Sequence, residues 1–154
     1  MLLFRFICAI LMAWAMNIAL ARPEALALLE ESPDFPIMAA IGGAIVGFIN
    51  LAKRQGWGMV VALANGIWAG ILTIVVSILV FLIAVPIARN WVAMDDFGDF
   101  TRITSQALDP LIDQFTNAPL VVVILIHAAV VGIITEAIHW SLVRALRKRA
   151  ESRD

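Results

Sequence analysis

Among the polar residues that interrupt the apolar stretches, five could do chemistry: Asn50, Asn65, His127, Glu136 and His139. A carboxylate in such a place can hold a cation or carry a proton, an imidazole can relay protons near neutral pH, and a carboxamide can ligate a cation or hydrogen-bond between helices. In hydrocarbon these groups are costly, so each needs a partner or a task. Counted from the ends of the apolar stretches, Asn50, Asn65 and Glu136 all fall roughly 6 to 9 Å deep at 1.5 Å per residue. They form one candidate polar layer, which has two readings. One is an ion or proton site with Glu136 as its charged member; the other is a structural contact between helices, with Glu136 paired to Lys53, Arg54 or Arg144. His127 falls near midplane at the depth of Thr73, where it either relays protons or is held neutral by a hydrogen bond to Thr73 or Ser77.

Other chemistries find little support. Glu136 and His139 have the Glu-x-x-His spacing of carboxylate-bridged metal sites in helical bundles, but those sites use two such motifs and further carboxylates. Here there is one copy and no second carboxylate in an apolar stretch, so neither a metal nor a cofactor is expected. Ser77 stands in an aliphatic run and Ser105 in an amphipathic one, each without a base to activate it. No Gly-Lys-Ser or Gly-Lys-Thr follows the glycines, which removes a phosphate loop. Passage of an oxyanion needs cations inside the membrane, and only Arg5, near one end of its stretch, qualifies. The chain reads as a non-enzyme.

The elements that position these residues follow from composition. Of 154 residues, 62% are apolar and 15% charged, and mean hydropathy is +0.95. Such a chain belongs in a lipid bilayer. A net charge of −1 supplies no basic field for nucleic acid. The single cysteine, Cys8, excludes an intrachain disulfide framework and a multi-cysteine metal site. The fold class expected is an all-α integral membrane protein, one domain with spans at about 2–21, 36–52, 59–88 and 120–143. The first span competes with a signal peptide, since Ala19-Leu20-Ala21 has a small-x-small pattern; only Arg5 precedes it and the run is long for such a peptide, which favours a retained anchor. The third span is about 45 Å long if fully helical, more than the hydrocarbon requires, and Pro86 is expected to kink or stop it. Residues 97–116 have apolar positions at three- and four-residue steps, which predicts an amphipathic helix in the membrane interface, broken where Asp109 precedes Pro110. Residues 144–154 form a basic tail.

Small residues organise the second and third spans. Gly43 and Gly47 follow Ala39 at four-residue steps, and Gly66 and Gly70 follow Ala62 in the same way. Each set makes a stripe almost without side chains. The turn at Arg54-Gln55-Gly56 is too short for anything but an antiparallel neighbour, so the two stripes are expected to pack on each other in a hairpin. With the amino terminus, the Lys53-Arg54 turn and the tail on one side, that side holds eight of the eleven basic residues. The distribution places both termini in the cytoplasm. Trp57, Trp91 and Trp140 fall near the expected interfaces, whereas Trp14 and Trp68 do not.

The run Gly56-Trp57-Gly58 through Asn65-Gly66 into a long apolar span, then DFGDFTRITSQALDPLIDQF, then a last span ending TEAIHW before a basic tail, resembles the TrgA-type membrane proteins. The resemblance covers roughly residues 36 to 150 and rests on small-residue spacings plus one glutamate. It departs where that family usually has a tyrosine ahead of its amphipathic segment; this chain has Phe97 and Phe100 and no tyrosine. What it implies is a small bacterial inner-membrane protein associated with tellurite resistance, with no catalytic residues to carry over. Two functions are therefore expected to compete. One is a non-enzymatic protein of tellurite or envelope stress tolerance, acting through helix packing with itself or a membrane partner. The alternative is a small ion- or proton-coupled transporter using Glu136 and His127.

Overall fold

The computed structural model describes residues 2–90, 97–116 and 118–151. All regular structure among them is helical: α1 (Leu2–Leu20), α2 (Leu26–Glu31), α3 (Phe35–Ile49), α4 (Met59–Asn90), α5 (Phe97–Thr116) and α6 (Ala118–Glu151), with single 3-10 turns at Pro23–Ala25 and Leu51–Lys53. Four of these, α1, α3 with its 3-10 extension, α4 and α6, are long and apolar enough to cross a membrane. The chain is thus an all-α protein with four candidate spans, as the apolar run lengths predict. Trp91, an expected interface anchor, and Arg153 of the basic tail lie outside the described residues.

Local sequence explains the helix limits. Pro36 sits in the first turn of α3, where its missing N–H leaves no helical bond unmade. The same helix ends at Asn50, tightens into a 3-10 turn, and then meets Gly56 and Gly58, whose φ angles of 98° and 100° take the chain out of any right-handed helix. Neither Pro86 nor Pro110 ends its helix. Helix α4 runs through position 86 to Asn90, and α5 runs through position 110 to Thr116. A proline deletes one hydrogen bond from a helix, and the bonds on either side suffice to continue these two.

The spans form a ring in the order α1, α3, α4, α6, which closes on α1. The glycine stripes do not meet across the hairpin as expected. The α3 stripe faces α1: a Cβ on Gly43 would lie 3.0 Å from the Met12 carbonyl oxygen, and one on Gly47 would lie 2.9 Å from the Ala9 Cα. The α4 stripe faces α6, where a Cβ on Gly66 would lie 2.9 Å from the Ala129 Cα and one on Gly70 would lie 2.8 Å from the Ala128 Cβ. The hairpin itself closes through Gly42, which gives room to Ser77; the Ser77 hydroxyl donates to the Ala39 carbonyl at 3.4 Å. Each stripe therefore serves the neighbour that is not its hairpin partner.

Two satellite helices close one end of the ring. A cluster of Leu20, Ala25, Leu28, Phe35, Leu111 and Leu120 is buried there, and Phe35 meets Phe81 of α4 and Phe115 of α5 with ring centroids 5.6 and 5.8 Å apart. Helix α5 is amphipathic as expected, but its apolar side is divided. Leu111 is buried against the bundle, while Ile112 is exposed. At the opposite end Phe4 of α1 packs edge-on to His139 of α6, and the turn after α3 joins them, so the start of α1, the Lys53-Arg54 turn and the later part of α6 share one end. Beyond it α6 continues as an exposed helix carrying Arg144, Arg147, Lys148 and Arg149.

Candidate functional site

The polar residues converge on the turn between α3 and α4. Glu136 projects from α6 and is fully buried. Its Oε2 accepts the Gly56 backbone N–H at 2.7 Å, and its Oε1 accepts both the Gly58 N–H at 2.9 Å and the Trp140 indole N–H at 2.8 Å. Two amides two residues apart aim at one carboxylate because the left-handed backbone at Gly56 and Gly58 turns them the same way, in the manner of anion-binding backbone nests. Trp140 reaches the same oxygen because it lies one helical turn beyond Glu136. Hydrogen bonds to a charged group contribute about 1.5–3 kcal/mol each, and a buried amide left unpaired costs about 1–3 kcal/mol. Glu136 is thus a clamp across 80 residues of sequence, and it replaces the expected ion pair with Lys53, Arg54 or Arg144. Backbone amides serve the carboxylate without bringing a second charge into a low-dielectric site.

Asn65 completes the clamp from α4, donating through Nδ2 to the Arg54 carbonyl at 2.8 Å. Gln55, also buried, donates to the Leu51 carbonyl at 3.3 Å, while its Oε1 is buried without a partner among the described residues. Asn65 and Glu136 thus hold the same turn, Asn65 at Arg54 and Glu136 at Gly56 and Gly58. Asn50 does not join them. It caps α3 through its backbone, its N–H bonded to Val46 and its carbonyl to the Lys53 N–H.

His139 covers the turn. Its Nε2 lies 3.1 Å from where a Cβ on Gly56 would stand, and its ring meets Phe4 at 5.5 Å. A side chain at position 56 would therefore be wrong in two ways, by φ and by contact. His127 is far from this layer. Its Nδ1 lies 2.8 Å from the Val123 carbonyl, which only accepts, so Nδ1 carries a proton. Among the described residues no hydrogen bond joins it to either expected partner: the Thr73 hydroxyl donates to Ala69 on its own helix and that of Ser77 to Ala39 of α3. Thr135 likewise bonds back to Val131 and Gly132.

Gly56, Gly58, Gln55 and Trp140 are members of this site that reading the residues one by one does not select. Their signal in the sequence is the Gly-x-Gly pair directly after a basic turn and the tryptophan four residues beyond the glutamate. Among the described residues no group of three His, Cys, Asp or Glu is placed to hold a metal ion. What the arrangement can do is fix the geometry of the turn: both oxygens of Glu136 accept, one from Gly56 and the other from Gly58 and Trp140. No protein-family model, curated protein or solved structure matches the chain.

Proposed function

We propose that this chain is a non-enzymatic, multi-pass protein of the bacterial inner membrane with both termini in the cytoplasm, and that it contributes to tolerance of tellurite or envelope stress by helix packing and association with itself or a membrane partner. The observation that carries the reading is the engagement of Glu136. The one carboxylate within the spans is fully buried and holds Gly56, Gly58 and Trp140, so the residue best suited to bind an ion is instead a fastening. His127, bonded to its own helix, supports the same view. The link to tellurite comes from the resemblance of residues 36–150, and the orientation from the excess of Lys and Arg at the end that carries the termini.

The deciding experiment is survival of a deletion strain on tellurite, complemented by the native chain or by Glu136→Gln. Sensitivity rescued by the native chain supports the reading, and unaltered survival of the deletion strain overturns it. Transport is separated by reconstitution into vesicles. Proton- or cation-coupled flux that Glu136→Gln abolishes while the protein stays folded would establish the transporter in its place.

A further inference from the structure

An open groove of about 470 Å³ runs along the outer side of the α1–α3 pair. It follows from the close approach of the two helices at Gly43 and Gly47. Beside that crossing Ala9, Ala13 and Ala44 are too short to fill the furrow that Phe6, Ile45 and Phe48 border. All its lining side chains are apolar. From Phe6 to Ala13 the furrow follows α1 for about 10 Å at 1.5 Å per residue, so it points along the bundle axis toward the membrane interior.

A cation stands at its outer end. The Arg5 guanidinium carbon lies 5.9 Å from the centroid of the Phe48 ring, and Phe48 packs edge-on against Phe6 at 5.3 Å. This ring contact orients Arg5 over the mouth of the furrow. No carboxylate pairs with Arg5 among the described residues. The nearest candidate by depth, Glu136, has its oxygens committed to the turn. Arg5 therefore offers a guanidinium at headgroup level directly above an apolar channel.

We propose that this groove binds an anionic phospholipid, with one acyl chain in the furrow and the phosphate at Arg5. The chemistry selects this occupant over two others. A zwitterionic lipid fills the furrow equally well but brings its own cation to Arg5. A second copy of this chain fills the furrow with side chains, but besides the clamped Glu136 its carboxylates on the Arg5 side are Glu151 and Asp154, which lie in the basic tail beyond the last span. Guanidinium and phosphodiester, in contrast, match in charge and hydrogen-bond geometry, and a volume of this size suits a bound chain.

The test is native mass spectrometry of the purified, delipidated full chain, offered phosphatidylglycerol or phosphatidylcholine with identical acyl chains. The native protein is expected to retain phosphatidylglycerol about five-fold better, the contribution of one basic side chain at an anionic surface. Arg5→Gln should remove that preference and Arg5→Lys should keep most of it. Ala44→Phe should fill the furrow and reduce retention of both lipids; if that variant does not fold, Ala13→Leu serves the same purpose from the other helix. Equal retention of the two lipids by the native protein overturns the proposal, as does a preference that survives Arg5→Gln. Loss of a dimer signal in the groove-filling variants, with lipid retention unchanged, overturns it in favour of a second copy.

Discussion

Gly132 of α6 lies against Gly66 of α4 so closely that a Cβ on Gly132 would stand 2.9 Å from the Gly66 Cα and collide with the Ala62 carbonyl. Both obstacles are backbone, so neither can swing aside. Alanine at position 132 gains roughly 1 kcal/mol of helix propensity but forces the two helices apart, and overpacking of this kind costs about 1–3 kcal/mol. The clash should win. Gly132→Ala is expected to lower the melting temperature in detergent, read by fluorescence-detected size exclusion. A melting temperature equal to or above that of the native chain would show that α4 and α6 do not cross at this pair.

Glu136→Gln tests the clamp. A glutamine has one carbonyl oxygen, which can keep Gly58 and Trp140 or keep Gly56, but not all three donors. Its amide group then faces an N–H, donor to donor. The expected loss is about 2–4 kcal/mol. Trp140→Phe removes one donor and leaves both backbone bonds, so it should cost only about 1–2 kcal/mol. Thermal unfolding of both variants in one detergent gives the order, and a Trp140→Phe variant less stable than Glu136→Gln would contradict the clamp.

The spans and the parity of the termini were legible because a bilayer demands long apolar runs, and runs can be counted. The partners of the glycine stripes were not. A stripe announces that something approaches closely without saying what. The short turn after Arg54 fixes only the adjacent ends of α3 and α4, which leaves Gly43 and Gly47 free to face α1 and Gly66 to face α6. Glu136 was legible as costly, but two of its three partners are backbone amides, which every residue except proline carries. Only the left-handed glycines at 56 and 58 make theirs available. Pro110 misled because a proline at the start of a helix and one in its interior look the same in sequence, and α5 runs through it.

His127 separates structural from relay roles. Its hydrogen bond is to Val123 of its own helix, so it ties no two spans together. His127→Leu removes a polar ring from the bundle without orphaning another helix, and the Val123 carbonyl keeps its place in the helical ladder. Stability should change by no more than about 1 kcal/mol, and tellurite survival should match that of the native chain. A proton relay would lose its function under the same change, so a folded His127→Leu protein that fails to complement would restore the transport reading.

The place of α1 in the ring predicts that it is retained. Cys8, Met12, Ala15, Met16 and Ala19 are buried on one side of it, and the Gly43-Gly47 stripe is shaped to its backbone. Cleavage after Ala21 would leave that stripe facing lipid and remove Phe4 from His139. Intact mass of the membrane-extracted protein should therefore include residues 2–20, and a mass matching a chain that begins at Arg22 would refute the assignment. Gly47→Leu supplies the complementary measurement. The leucine would meet the Ala9 Cα and the Cys8 backbone, while α4 is untouched. Engineered cysteine pairs across α1 and α3 should then lose crosslinking, whereas pairs across α3 and α4 should keep it. The reverse pattern would return the stripe to the hairpin.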